Sequence, residues 1–306
     1  MRTYRSVLAS VMALTCFATV ANAGDVVHVI VMAGQSNMVG GGQVDLLSEH
    51  LQPWAEALPE IPYRQWLNGS EYGPVGWTDH LRPRGVFIGP EMSFGHRIAA
   101  ARPNESVAIL KMAYNGTNLG CDWHPDGCGN QLYHRLSTNI EYWMEDLEST
   151  GVDCRLAGVV WVQGESDSRT DWAANSYFHN LLEFVRNLRI DTHRATLPFV
   201  VVRVHPRASG YQYGPLVRAA MRDVAAIDTA IDSVGISDLA LKSDNIHLTG
   251  DSMVRVGIRA ADAFLALGCL DSVEDAPDCW GDFDGDDHLG VNDLLQLLES
   301  WGTCGP

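Results

Sequence analysis

A serine stands where a buried strand meets a turn. Ser36 lies in the run Val-Ile-Val-Met-Ala-Gly-Gln-Ser-Asn-Met, just after the apolar stretch Val26 to Met32. A short apolar run closed by small and polar residues reads as a strand meeting a tight turn, which lifts the serine onto the rim of a sheet. A hydroxyl is a weak nucleophile until a base, an orienting acid and oxyanion donors surround it. Three other stretches offer those groups. In Asp244-Asn245-Ile246-His247, three-residue spacing can set a carboxylate beside an imidazole. His247 would take the Ser36 proton, and Asp244 would fix its tautomer and stabilise the imidazolium. In Asn115-Gly116-Thr117 a glycine can turn a backbone N–H to the rim with no side chain in the way. In Gln163-Gly164-Glu165-Ser166-Asp167 an amide side chain could donate to a developing oxyanion.

The elements that must position these groups alternate. Val26–Met32, Val107–Ala113, Leu156–Val162 and Leu197–Val204 are short Val-, Ile- and Leu-rich runs without polar alternation. Such runs suit strands covered on both faces. Between and after them, Glu91–Ala101, Leu132–Ser149, Trp172–Arg189, Pro215–Ala226 and Thr249–Leu267 carry helical patterns. The alternation predicts a parallel sheet with helices on both sides, whose ligands gather at the carboxyl ends of the strands. Residues 41–90 break the pattern. They are rich in Gly, Pro and aromatics (Trp54, Trp66, Tyr72, Trp77) and read as a long excursion over the active face. Its rings could stack on sugars or simply pack the loop to the body.

In combination, Gly34-Gln35-Ser36-Asn37-Met38, Trp161-Val162-Gln163-Gly164-Glu165-Ser166-Asp167 and Asp244-Asn245-Ile246-His247 resemble the SGNH (GDSL-like) hydrolase superfamily. Within it they are most similar to the sialate O-acetylesterase and acetylxylan esterase group. The resemblance covers roughly residues 25–267. It implies a three-layer α/β/α, flavodoxin-like fold and a secreted serine esterase that removes O-acetyl groups from carbohydrate through an acetyl-enzyme. Carried over, Ser36 is the nucleophile, and Asp244 and His247 are the acid–base pair. The Ser36 and Gly116 amides and Gln163 are the oxyanion donors, with Gln163 in place of the superfamily's usual asparagine. Glu165 is expected to hold Gln163 or the Ser36 turn from behind. The subgroup often has Gly-Gly-Thr where this chain has Asn115-Gly116-Thr117, which would alter the pocket. The ordinary α/β-hydrolase elbow is excluded, because G-x-S-x-G needs a glycine at Met38. The competing reading is a catalytically inactive glycan-binding or scaffold protein.

Composition narrows the partners. The formal charge of −17 becomes −19 without Arg2 and Arg5, which argues against nucleic acid and anionic membranes. Those arginines open an apparent leader: an apolar core from Val7 to Val20, then Ala21-Asn22-Ala23 as a cleavage site. The expected boundaries are 1–23 signal peptide, 24–267 esterase domain, 268–281 linker and 282–306 a small acidic module. The mature protein would be secreted, periplasmic or on the cell surface, with no membrane span. Export favours disulfides among the six cysteines left. Cys121 with Cys128 and Cys279 with Cys304 are the expected pairs, leaving Cys154 with Cys269. Zinc on Cys121, His124, Cys128 and His134 matches no strong spacing.

The acidic module places Asp282, Asp284, Asp286 and Asp293 at positions 1, 3, 5 and 12 of an EF-hand-like loop, with the His288 carbonyl at position 7. It resembles one half of a type I dockerin, although Asp287 replaces the usual glycine and no second copy follows. Ca²⁺ and a surface or scaffold partner are the expectations there. The catalysis itself would need no cofactor. His28, His96, His134, His179 and His205 read as packing or surface residues, and Arg203, in a strand, as the partner of a buried acid. The choice among acetylated sugars is expected to lie in residues 41–90 and around Trp123.

Overall fold

The computed structural model describes residues 26–72, 77 and 80–271. The leader, most of the linker and the acidic module lie outside the described residues. So do Asp282, Asp284, Asp286, His288, Asp293 and the pair Cys279 and Cys304.

Six parallel strands build the sheet. They are β1 (Val27–Gly34), β2 (Leu58–Leu67), β3 (Val107–Ala113), β4 (Cys154–Val162), β5 (Phe199–Val202) and β6 (Ile231–Val234). Their order across the sheet is β6-β5-β4-β1-β3-β2, with the short antiparallel strand Ser70–Tyr72 beyond β2. Four longer helices connect them, α1 (Pro90–Ala101), α2 (Leu132–Glu148), α3 (Asp171–Asp191) and α4 (Gly214–Ile227), and α5 (Gly250–Ala266) follows β6.

β1 shows why its run was continuously apolar. Ile30 and Met32 join one core with α1 and α5 residues such as Phe94 and Phe264. Val29, Val31 and Ala33 join the other, with Trp143 of α2, Phe184 of α3 and Val217 of α4. Both faces are covered, so neither needs polar alternation.

Two expectations are corrected. Residues 41–90 are not only an excursion, because they contain β2, which pairs with β3 from Tyr63↔Ile109 to Leu67↔Ala113. Pro59 and Pro62 hid it. Both precede that parallel ladder, where a missing N–H is tolerated. Two of the aromatics there pack inward: Trp77 is buried and its Nε1 donates to the Trp143 carbonyl at 2.8 Å, while Trp54 lies against the core edge-on to His96. The second correction concerns cysteines. Cys121 and Cys128 are bonded as expected, but Cys154 and Cys269 carry free thiols. The sheet separates them: Cys154 packs on the α2–α3 side and Cys269 lies in the core of the α1–α5 side. Burial pushes both thiols up to about 12, which makes them inert.

Candidate active site

Strand register brings the predicted groups to one edge. Gly34 pairs with Ala113 on one side and Val162 on the other, so β1, β3 and β4 end level. The residues that follow these ends are Ser36, Asn115-Gly116 and Gln163. Two cross-links seal the edge, Tyr114 N–H to Gly34 O and Gln35 N–H to Val162 O, both 2.9 Å. Gly34 has φ 149°, and a Cβ there would lie 2.1 Å from the Val162 carbonyl oxygen. Only glycine lets the strand leave the sheet this tightly.

The turn that carries Ser36 is a four-residue helix, Ser36–Val39. From Val27 to Val39 every residue is buried except Ser36, which is half-exposed. Lys111 of β3 anchors the turn from below. Its Nζ donates to the Val39 carbonyl at 3.2 Å and to Glu91 Oε2 at 2.6 Å, and Glu91 Oε1 accepts the Gly89 N–H at 3.1 Å. Burial pulls this ammonium below the ordinary lysine range, and Glu91 opposes the pull. A single lysine inside the apolar strand Val-Ala-Ile-Leu-Lys-Met-Ala was the sequence signal for this anchor.

The base loop precedes α5. His247 Nδ1 and Asp244 Oδ2 are 2.8 Å apart, and Asp244 Oδ1 accepts the N–H groups of Ile246 and His247 at 2.9 Å each. Partial burial alone would raise this carboxyl, but those three bonds and the His247 charge outweigh it and hold Asp244 at about 2. An Asp held ionised beside Nδ1 leaves Nε2 as the proton acceptor. Asn245 takes φ 54° to close the turn, a left-handed conformation that asparagine tolerates.

Asn37 joins these two regions. Its Nδ2 donates to Glu165 Oε1 at 2.6 Å, and its Oδ1 accepts the Leu248 N–H at 3.0 Å. Ser36 and His247 each lie one residue from that second bond. Nothing in the sequence pointed to Asn37 beyond its place after the serine. Glu165 thus bonds the residue that follows Ser36. Burial pushes its carboxyl up, and the Asn37 bond, a backbone N–H and the His247 charge oppose this.

Gly116 has φ 69°, is exposed, and faces open space where a Cβ would stand. Gln163 takes a different place from the expected one. Its Nε2 lies against three protein acceptors: Asp167 Oδ2 at 2.5 Å, the Thr117 carbonyl at 2.9 Å and Gln35 Oε1 at 3.2 Å. Its Oε1 accepts from Tyr177 at 3.1 Å. The buried Asp167 carboxyl is the stronger acceptor and holds the amide under the rim. Asp167 also takes the Leu119 N–H at 3.0 Å. Burial nevertheless pushes Asp167 up to about 7, against the pull of those donors.

Trp123 is fully buried and its Nε1 donates to Thr117 Oγ1 at 2.8 Å, so it lines no open pocket. The buried Nε of Arg203 has no hydrogen-bond partner among the described residues, and the expected acid is not beside it. Trp66 and Tyr114 are the aromatic pair left on the rim, half-buried, 5.7 Å apart and next to Asn115.

A mostly parallel sheet covered by helices on both faces, with Ser36 after its first strand and the Asp244–His247 pair on a loop tied to Asn37, has the α/β fold of the SGNH hydrolases. A family profile described as carbohydrate esterase, sialic acid-specific acetylesterase, matches residues 26–266, and the chain belongs to that family. It is a carboxylic ester hydrolase. A probable carbohydrate esterase of Arabidopsis thaliana is 30% identical over 257 residues, which is 79% of this chain and 92% of that one. Among solved structures, an Arabidopsis thaliana protein superposes with TM-score 0.59 at 25% identity, over 78% of this chain and 98% of that one. A carbohydrate acetylesterase from Xanthomonas citri gives 0.55 at 20% identity, over 76% and 55%. NanS gives 0.58 at 14% identity, over 81% and 99%. The last two share the fold.

Proposed function

We propose that the protein hydrolyses O-acetyl esters on carbohydrate by a Ser36–His247–Asp244 mechanism. Ser36 Oγ attacks the acetyl carbonyl while His247 Nε2 takes its proton. The tetrahedral oxyanion rests on the Ser36 and Gly116 N–H groups. The intermediate collapses with cleavage of the bond to the sugar oxygen, which takes the proton back from His247 and leaves as a hydroxyl, and an acetyl-Ser36 remains. Water, deprotonated by His247, then releases acetate. Gln163 shapes this site by holding Gln35 and the Thr117 carbonyl. Proton transfer and charge stabilisation are all assigned to side chains and amides, so the reading takes no cofactor. Trp66 and Tyr114 offer a face on which a sugar ring can stack.

The observation that carries the reading is the Asp244–His247 bond on a loop tied to the residue after Ser36. Ser36→Ala is the test. Hydrolysis of 4-nitrophenyl acetate should fall by about 10⁴-fold or more. Retained turnover would end this assignment. Wild-type binding of acetylated glycan without turnover would favour a glycan-binding protein instead. Acetate release from acetylated xylan, pectin and sialic acid would identify the substrate. Export and a calcium-holding acidic module belong to the same proposal: cleavage after Ala23, and a chelator-sensitive protease resistance of residues 282–306, are their tests.

A further inference from the structure

We propose that Glu165 and Asn37 act as a pair of positioning residues, a strut that holds the base loop in register with the nucleophile. The inference rests on the Ser36–His247–Asp244 reading. Ser36 and His247 come from segments tied by the Leu248–Asn37 bond and by Lys242 Nζ, which donates to the Gly41 carbonyl at 2.7 Å. The bond from Leu248 N–H to Asn37 Oδ1 spans 211 residues of sequence. It exists only while the carboxamide points its oxygen at Leu248. A primary amide can turn over and exchange oxygen for nitrogen, which would put N–H against N–H. Glu165 prevents that. Glu165 Oε1 accepts from Asn37 Nδ2 at 2.6 Å, which leaves Oδ1 for Leu248.

Three further observations support the strut. Asn37 and Glu165 are both almost wholly buried, so water does not compete for the amide. The other carboxylate oxygen of Glu165 is buried with no hydrogen-bond partner among the described residues. A buried carboxylate left half-satisfied is costly, and its one side-chain bond is the one to Asn37. The same segment also grips the residue on the other side of Ser36, through Ser166 N–H and Gln163 Nε2 to Gln35 Oε1 at 3.3 and 3.2 Å. Residues 163–166 thus hold both chain neighbours of the serine, and Asn37 passes that grip to the histidine loop.

The test uses the full chain with Glu165→Ala, Glu165→Gln, Asn37→Ala and the Asn37→Ala/Glu165→Ala double variant. Glu165→Ala should lower kcat for 4-nitrophenyl acetate by about 10- to 100-fold with KM within about twofold, the signature of misplaced catalytic groups. Glu165→Gln keeps an acceptor for Asn37 and should recover most of that loss. Asn37→Ala should match Glu165→Ala, and the double variant should lose no more than Asn37→Ala alone. Unchanged kcat in Glu165→Ala, equal damage from Glu165→Gln, or multiplicative losses in the double variant would overturn the strut. If Glu165→Ala fails to fold, Asn37→Ala decides by the same split of kcat from KM. Labelling of Ser36 by a fluorophosphonate, read by mass spectrometry, separates this from the underlying reading. Wild-type protein unlabelled at Ser36 sinks the mechanism itself; labelling slowed in Glu165→Ala supports the strut.

Discussion

The nucleophile turn and the base loop are built on opposite principles. Around Ser36 the chain is locked in the core: Gly34 lies against Val162, and Lys111 ties Val39 to Glu91. Around His247 the chain is largely exposed and its geometry is set mostly by local bonds, three of them converging on Asp244 beside a left-handed Asn245. The difference follows from what each group must do. A serine needs a fixed backbone, because its own N–H is assigned to the oxyanion. An imidazole needs a fixed ring with one nitrogen open to a proton. The first demands tertiary packing, whereas the second can come from a local turn.

That contrast can be broken, and the largest effect should come from the base loop. Asp244→Asn should lower kcat/KM by about 10²- to 10⁴-fold, through the wrong tautomer. Stability should fall by only about 1 kcal/mol, since the bonds that depress Asp244 are mostly solvent-exposed. A large drop in thermal midpoint would show that the loop is not self-contained.

Lys111→Met should behave in the reverse way. It leaves Glu91 buried without its cation and should cost about 3–5 kcal/mol in denaturant unfolding. Replacing both, as Lys111→Met/Glu91→Leu, should recover much of the stability. Equal stability of the single and double variants would remove Lys111 from the account.

The carboxylates on the two sides should titrate in opposite senses. Asp167 sits at about 7 in the folded protein against an unfolded value of about 3.9. Between those values the folded state holds the extra proton, so stability falls as pH rises from about 4 to about 7. Asp167→Asn should flatten unfolding free energy across that window. Asp244 is depressed to about 2. Its contribution is present above about 3.9 and is lost as pH falls toward 2. A wild-type profile without the Asp167 slope would place that carboxyl in water.

The smallest effect belongs to Asn245. Asn245→Ala should cost about 1 kcal/mol for the left-handed φ, and Asn245→Gly much less. Equal losses would mean that the asparagine side chain matters more than its backbone.

Legibility in the sequence tracked locality. β3 is read to the residue, and the five long helices to within a residue or two, because burial on both faces or on one helical stripe writes itself into composition. β2 escaped, since its two prolines precede the paired half of the strand. β6 escaped because only Ile231 and Val234 of its four residues are buried, too little for a pattern. Asp244 and His247 were visible because they are three residues apart. Asn37 was not, since its value lies in reaching Glu165 and Leu248, far away in the chain. Gln163 was visible as an amide at a strand end, but its direction depended on Asp167, four residues on and folded beneath it.

The sequence by itself determined which groups could do chemistry and that each stands at the end of an element. Hydrophobic runs, turn residues and the Asp-x-x-His spacing are local quantities, and local physics is enough to read them. Only the tertiary structure decided which of those groups face the rim. Strand register set Gly34, Ala113 and Val162 side by side, and buried acceptors turned Gln163 inward. Packing likewise put Cys154 and Cys269 on opposite faces of the sheet. The physical reason is that a hydrogen bond chooses its partner by distance in space, and sequence separation says nothing about that distance until the sheet has formed.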